Sequence, residues 1–349
     1  MQFVHDRLSQ RAVFATGGAA DAVAEEVRRL GASRVMAIAS VRGRAEPVLA
    51  GVPVAIWHTD VVMHVPVDVA GRARAVAADH GIDALVCVGG GSTTGLAKAV
   101  ALTTGLPIVA VPTTYAGSEA TDVWGLTEGG RKTTGVDPRV LPRTIVYDAA
   151  LMLGLPVPTS VASGLNALAH CVDAMWGPRA DPIDRTLALE GIRALTSGLP
   201  RVVDDPTGLE GREQTLYGAY LAAVAFASAG SGLHHKIAHV LGGMFDLAHA
   251  ETHAVVLPHV LALNAPAVPD LDRRMAGAFG ADSALGGLLD LEARLGAPTS
   301  LRSLGMPESG LATAVQPILD ASPPNNPAPV TSPVIEALLR AAWDGKEPA

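Results

Sequence analysis

Residues 84–114 read ALVCVGGGSTTGLAKAVALTTGLPIVAVPTT. The run Ala84–Gly90 is apolar at nearly every position and ends in glycines. A strand with one wet face alternates apolar and polar residues, so this run predicts a strand buried on both faces. Thr93–Gly105 follows with alanine and leucine at helical spacing, and Pro107–Thr114 is a second β-branched run. Strand, helix and strand in succession is the parallel crossover unit.

The pattern extends outward from that stretch. RVMAIAS (Arg34–Ser40) and TIVYDAA (Thr144–Ala150) read as further strands, and Val69–Gly81 as a helix. The fold class expected is α/β, with a Rossmann-like, doubly wound parallel sheet. After Leu153 the character changes. Helical periods rich in alanine and leucine take over, and Pro156, Pro158, Ser160 and Ser163 supply helix-start chemistry. The boundary is placed near residue 152, giving an α/β domain over 1–152 and an all-helical domain over 153–349. Leu216–Ala229 is too short for a bilayer and reads as a buried core helix. A Pro/Asn-rich excursion, Ser322–Pro333, precedes a final amphipathic helix, VIEALLRAAW.

The chain has 349 residues, 49% hydrophobic and 17% charged, with a formal charge of −8. That acidity argues against nucleic acid or an anionic membrane as partner, and 4% aromatic residues leave little for base stacking. Cys87 and Cys171 lie in apolar runs outside any metal-binding spacing and read as buried thiols of a reducing cytoplasm. The N-terminus MQFVHDRLSQRAVF lacks the basic and apolar regions of a signal peptide. A cytoplasmic protein is expected.

Gly89, Gly90, Gly91 and Ser92 close the Ala84–Gly90 strand and open a helix. Glycines let a phosphate approach the backbone, and a helix N-terminus offers free N–H groups. The spacing is neither GxGxxG nor GxxxxGK[ST], and a tight turn explains the glycines equally well. A second polar turn, PTTYAGSEAT (Pro112–Thr121), shifts the balance, because it follows the neighbouring strand. Strand carboxyl ends in an open parallel sheet converge on one ligand crevice. Thr113, Thr114 and Ser118 therefore join the glycine turn as candidates for holding a dinucleotide. Lys132 in GGRKTTG is a further candidate, or a solvated surface lysine.

Six of the eleven histidines fall between His234 and His259, and a seventh, His170, sits in SGLNALAH. Histidine binds metals and shuttles protons near neutral pH. Asn166 and His170 are four apart, as are His235 and His239, so each pair shares a helix face. Two helices presenting these faces to one cavity are predicted, with His249 supplied by the following loop. A single buried histidine is more often a satisfied core residue, and His253 and His259 read equally as packing or capping residues. The string HAETH is not the zinc-protease motif, because Ala250 separates the first histidine from Glu251.

Taken in order, GGGSTTGLAKAVAL, PTTYAGSEAT, DPRVLPRTIVYD, SGLNALAH, HHKIAHVLGGMFDLAHAETHAVVLPHV and NNPAP cover nearly the whole chain. Together they resemble the maleylacetate reductases, a branch of the iron-containing alcohol dehydrogenase superfamily. The resemblance implies a homodimer with NAD(P)H held between a Rossmann-like and a helical domain. It also implies reduction of the carbon–carbon double bond of maleylacetate, a dicarboxylate, to 3-oxoadipate in bacterial aromatic degradation.

The superfamily binds a divalent metal through one Asp and three His, whose places here are Asn166, His170, His235 and His249. Asn166 replaces an anionic ligand with a neutral amide, and Gly95 stands where metal-dependent relatives carry Asp. Both departures match the reductase branch and imply a metal-independent site. His170, His235 and His249 are then the candidates for stabilising the enolate formed by hydride addition and for delivering the proton. His239 is placed at the nicotinamide or in a proton relay, Lys236 at a substrate carboxylate, and Tyr115 as a donor to substrate or cofactor. Ser40, Arg42 and Arg44 replace the acid that usually selects NAD, so NADH is the expected cofactor with NADPH open as well. Ala328 stands where the reductases carry Arg, which leaves the substrate open. The competing readings are a metal-dependent alcohol or aldehyde dehydrogenase on the same fold, and a non-redox protein that kept the fold.

Overall fold

The computed structural model describes residues 2–6, 8–129 and 131–348, apart from the side chains of Arg131 and Lys132. The chain forms two compact units, one of Arg7–Leu155, the other of Pro156–Ala349 joined by the N-terminal Met1–Asp6. His5 fastens that N-terminal segment, its Nδ1 lying 2.7 Å from Asp181 Oδ2.

The first unit holds strands β1 (Arg11–Phe14), β2 (Val35–Ile38), β3 (Val54–His58), β4 (Ala84–Gly89), β5 (Ile108–Pro112), β6 (Val123–Glu128), β7 (Arg131–Val136) and β8 (Thr144–Tyr147). Its helices are α1 (Ala19–Arg29), α2 (Arg42–Ala45), α3 (Val67–Asp79) and α4 (Gly91–Thr104). Six strands form one sheet in the order β1-β8-β5-β4-β2-β3, every pairing parallel. Alternation along the central strands feeds two cores. Leu85 and Cys87 of β4 join Met36, Ile108 and residues of α3 and α4. Val86 and Val88 join Val35, Val109, Val146 and residues of α1. Burying β4 on both faces explains its unbroken apolar run. β6 and β7 form a separate antiparallel ribbon, so Lys132 lies on a strand, with its side chain outside the described residues. Neither β1 nor β3 is among the strands expected from sequence.

All described strands precede Asp148. The second unit is built from α5 (Val157–Ala174), α6 (Pro182–Asp204), α7 (Leu209–Ala229), α8 (Leu233–Phe245), α9 (His249–Asn264), α10 (Pro269–Phe279), α11 (Ala284–Leu295), α12 (Gly310–Ala321) and α13 (Ser332–Asp344). Asp181 starts α6 with a reciprocal capping box and Pro182 in the first turn. Close helix approach depends on missing side chains. A Cβ at Gly191 of α6 would lie 2.6 Å from Cys171 Sγ of α5. Ile237 and Leu241 of α8 and Val256 and Val260 of α9 pack with Leu301, Ile318 and Leu339. Each such burial contributes about 1.5–3 kcal/mol and holds the two histidine-bearing helices against a common core. Among the described residues, no single helix is long and apolar enough to cross a membrane.

Candidate active site

One candidate site grows from the β4–β5 register. Gly89 pairs with Pro112, and the Thr113 N–H donates to the Gly89 carbonyl at 3.0 Å. The two polar turns therefore leave the sheet side by side. Gly90 caps α4 without any side-chain hydrogen bond, leaving first-turn amides for a ligand. Glycine is sterically required at 89, and the space at 90 is tight. A Cβ at Gly89 would lie 2.3 Å from Thr93 Oγ1, and one at Gly90 would lie 3.0 Å from Thr114 Cγ2. Gly91 is exposed, and Ser92, Thr113, Thr114 and Ser118 are half-buried. Tyr115 is wholly buried, which sets it apart from the groups open to a ligand.

A separate candidate site lies in the helical unit. Asn166 and His170 stand on α5, His234, His235 and His239 on α8, and His249, His253 and His259 on α9. His170 stacks on His235 with centroids 4.8 Å apart, and Phe226 of α7 lies against both rings, at 4.7 Å and 4.3 Å. His249 opens α9 rather than sitting in a loop, because the helix begins at that residue. His239 and His249 are exposed and stack on each other at 5.7 Å. His239 and His235, four apart on α8, meet edge-on with ring centroids 6.1 Å apart. Lys236 is half-buried. Ala328 is buried, and Asn264 and Asn326 pair their side-chain amides beside it.

Three residues at the centre of this arrangement were not among the candidate catalytic residues read from sequence. Asp173, one helical turn beyond His170 and wholly buried, is hydrogen-bonded through Oδ2 to His235 Nδ1 at 2.7 Å. The same Oδ2 accepts the backbone N–H groups of Gly232 at 3.1 Å and His235 at 3.2 Å. It thereby anchors the start of α8 and fixes the orientation of the His235 ring through Nδ1, with Nε2 left to face the site. The second and third are His234 and His253, both fully buried, with His234 Nε2 2.8 Å from His253 Nδ1. His253, which read equally as a packing residue, sits at the centre of the cluster. Its ring centroid is 4.7 Å from His235 and 4.5 Å from His249.

Burial sets the charge states. It pushes His170 and His234 down to about 3, and His235 and His253 well below the ordinary range, with neighbouring histidines adding to each shift. These four imidazoles are neutral at pH 7. Burial also pushes the Asp173 carboxyl up to about 7, against the amides of His235, Gly232 and His234 that favour its charged form. Asp173 therefore holds a proton far more readily than an ordinary carboxylic acid, beside a His235 that resists a second one. Asn166 Oδ1, His170 Nδ1 and His235 Nε2 are buried without hydrogen-bond partners. Each such atom left unpaired costs about 1–3 kcal/mol, and a polar ligand would relieve it.

Residues 10–149 match the iron-containing alcohol dehydrogenase family, and residues 160–343 match the C-terminal part of the Fe-containing alcohol dehydrogenase family. The chain belongs to this family of oxidoreductases. Within it, the chain is 45% identical over 352 residues to a maleylacetate reductase of Pseudomonas sp. (strain P51), covering 100% of this chain and 99% of that one. The crystal structure of maleylacetate reductase from Rhizobium sp. strain MTP-10005 superposes with a TM-score of 0.94 at 45% identity, with full coverage of both chains. An iron-containing alcohol dehydrogenase from Corynebacterium glutamicum superposes with a TM-score of 0.98 at 59% identity, covering 100% of this chain and 99% of that one.

The family's name carries iron, and at its expected place three neutral imidazoles and an amide remain, a donor set that can hold zinc or iron but without the anionic ligand. Asn166, His170, His235 and His249 bring no anionic donor. Asp173 beside them is committed to His235 and two backbone amides. Among the described histidines, two groups bring ligand atoms within 4.8 Å of one another: His234, His235 and His253, and His239, His249 and His253. His170 belongs to neither, and His234 and His253 already hydrogen-bond to each other. Gly95 departs in the same direction. A Cβ there would lie 2.9 Å from Val65 Cγ2, leaving an aspartate no room without a shift of Val65.

Proposed function

We propose that this protein reduces the carbon–carbon double bond of maleylacetate to 3-oxoadipate, using NADH or NADPH and no metal. Full-length identity of 42–45% to several maleylacetate reductases carries the reading. The carboxylate-free donor set of Asn166, His170, His235 and His249 supports it. The nicotinamide cofactor, when bound, supplies the hydride. The first-turn amides of α4, with Thr113, Thr114 and Ser118, hold its pyrophosphate. Hydride addition at the carbon β to the ketone leaves an enolate and calls for one proton at the adjacent carbon. With Asp173 protonated and donating to Nδ1, His235 carries its hydrogen on Nε2. It delivers that hydrogen and takes the Asp173 proton at Nδ1, leaving the carboxylate, while the N–H groups of His170 and His249 donate to the developing charge. Lys236 pairs with a substrate carboxylate. A homodimer is part of this reading, to be checked by light scattering.

The test is NADH and NADPH oxidation with freshly prepared maleylacetate, run with and without chelator. Turnover that survives chelation supports the proposal. A second reading, a metal-dependent alcohol dehydrogenase, is favoured by the similarity to the Corynebacterium glutamicum protein. It predicts the opposite outcome: oxidation of simple alcohols, lost on chelation.

A further inference from the structure

Lys98 lies in the middle of α4, the helix that the glycine turn opens, and its side chain is 1% exposed. Its Nζ donates to the carbonyl oxygens of Ser118 at 2.6 Å, Thr121 at 2.8 Å and Val123 at 2.8 Å, and to Thr121 Oγ1 at 3.1 Å. An ammonium has three N–H donors, so four oxygens from one short segment use all of them. That segment is the far end of the second polar turn. A side chain without a donor at 98 would take this partner from all four oxygens at once.

Desolvating an ammonium is costly. Burial pulls Lys98 down to about 7, with Glu119 and Asp122 opposing the shift. A methionine would fill much of the same space without that cost. The lysine is therefore explained by what Nζ holds. Other residues brace the same segment. Tyr147 Oη donates to Glu119 Oε1 at 3.0 Å, and Gln10 Nε2 donates to the Glu119 carbonyl at 2.8 Å.

We infer that Lys98 is a positioning residue for nicotinamide dinucleotide binding: α4 presents its amides at one end and, through Lys98, holds the Thr113–Ser118 turn in register with them. This rests on the cofactor reading above. Lys98 touches no ligand itself and acts through the turn.

The experiment measures NADH and NADPH binding by calorimetry, steady-state kinetics and thermal unfolding for wild type, Lys98→Met and Thr121→Val. In Lys98→Met, Kd and KM for the cofactor should rise about tenfold or more, with kcat at saturating cofactor nearly retained. Thr121→Val removes one of the four oxygens and should show a smaller rise of the same kind. A folded Lys98→Met with wild-type cofactor affinity would overturn the inference. If Lys98→Met does not fold, Thr121→Val decides, and wild-type affinity there overturns it. Wild-type protein that binds neither NADH nor NADPH would instead remove the cofactor reading itself.

Discussion

Replacing Asp173 with asparagine isolates what a buried charge does for His235. The side chain keeps its size, and an amide oxygen still serves one or two of the three groups bonded to Oδ2. What is lost is the charge-assisted bond to His235 Nδ1, worth about 1.5–3 kcal/mol. With each 1.4 kcal/mol a factor of ten, kcat should fall by about 10- to 100-fold. Stability should change far less. Burial disfavours the charged carboxylate at this position, so neutralising it offsets much of the lost bond, and the net change should stay within about 1 kcal/mol. Asp173→Ala differs: it leaves the Gly232 and His235 amides and His235 Nδ1 without this partner and should cost about 3 kcal/mol or more. Urea unfolding gives the stabilities, and NADH oxidation with maleylacetate gives the rates. A folded Asp173→Asn enzyme with wild-type kcat would refute the role assigned to the pair.

Gly90→Val should weaken NADH binding about tenfold or more, because even its Cβ crowds Thr114 Cγ2; unchanged affinity by calorimetry, in a folded variant, would move the phosphate site elsewhere. Asn166→Asp should bind Zn²⁺ or Fe²⁺ more tightly than wild type by restoring an anionic donor. Elemental analysis of wild type purified without added metal should show less than stoichiometric metal, and stoichiometric metal needed for turnover would refute the metal-free reading. His259, pushed down to about 4 by burial, is depressed below its unfolded value of about 6.5, so the unfolded chain binds its proton first as pH falls. Its neutral form stabilises the fold fully above pH 6.5, and about 3 kcal/mol of that is lost on descending towards pH 4; His259→Gln should flatten this part of the urea-stability profile, and an unchanged profile would refute the assignment.

The order β4, α4, β5 was legible because hydrophobic periodicity is a local property. A strand buried on both faces reads as an unbroken apolar run, and Ala84–Val88 is one. β1 and β3 were not legible, and both are edge strands. An edge strand packs against one neighbour only, and Arg11–Phe14 and Val54–His58 keep half-buried and exposed residues and only short apolar runs, where β4 is buried almost throughout. The β6–β7 ribbon pairs within itself outside the main sheet, and its polar Thr and Lys residues read as a loop.

The histidines divide the same way. The family motifs and the four-residue spacing of Asn166 and His170 identified a chemical site from sequence, and the loss of the acidic ligand at 166 was visible there. Sequence could not separate His234 and His253 from His239 and His249. All four are histidines on neighbouring helices, yet the first two are fully buried and hydrogen-bonded to each other while the last two are exposed. Asp173 carried one local signal, its place a helical turn beyond His170, but its partner is 62 residues away on α8. Local pattern determines which segments become strands and helices and which face is apolar. Which buried polar atoms meet depends on how distant helices cross, and for Asp173 and His235 that crossing alone sets the ring orientation, the charge and the proposed chemistry.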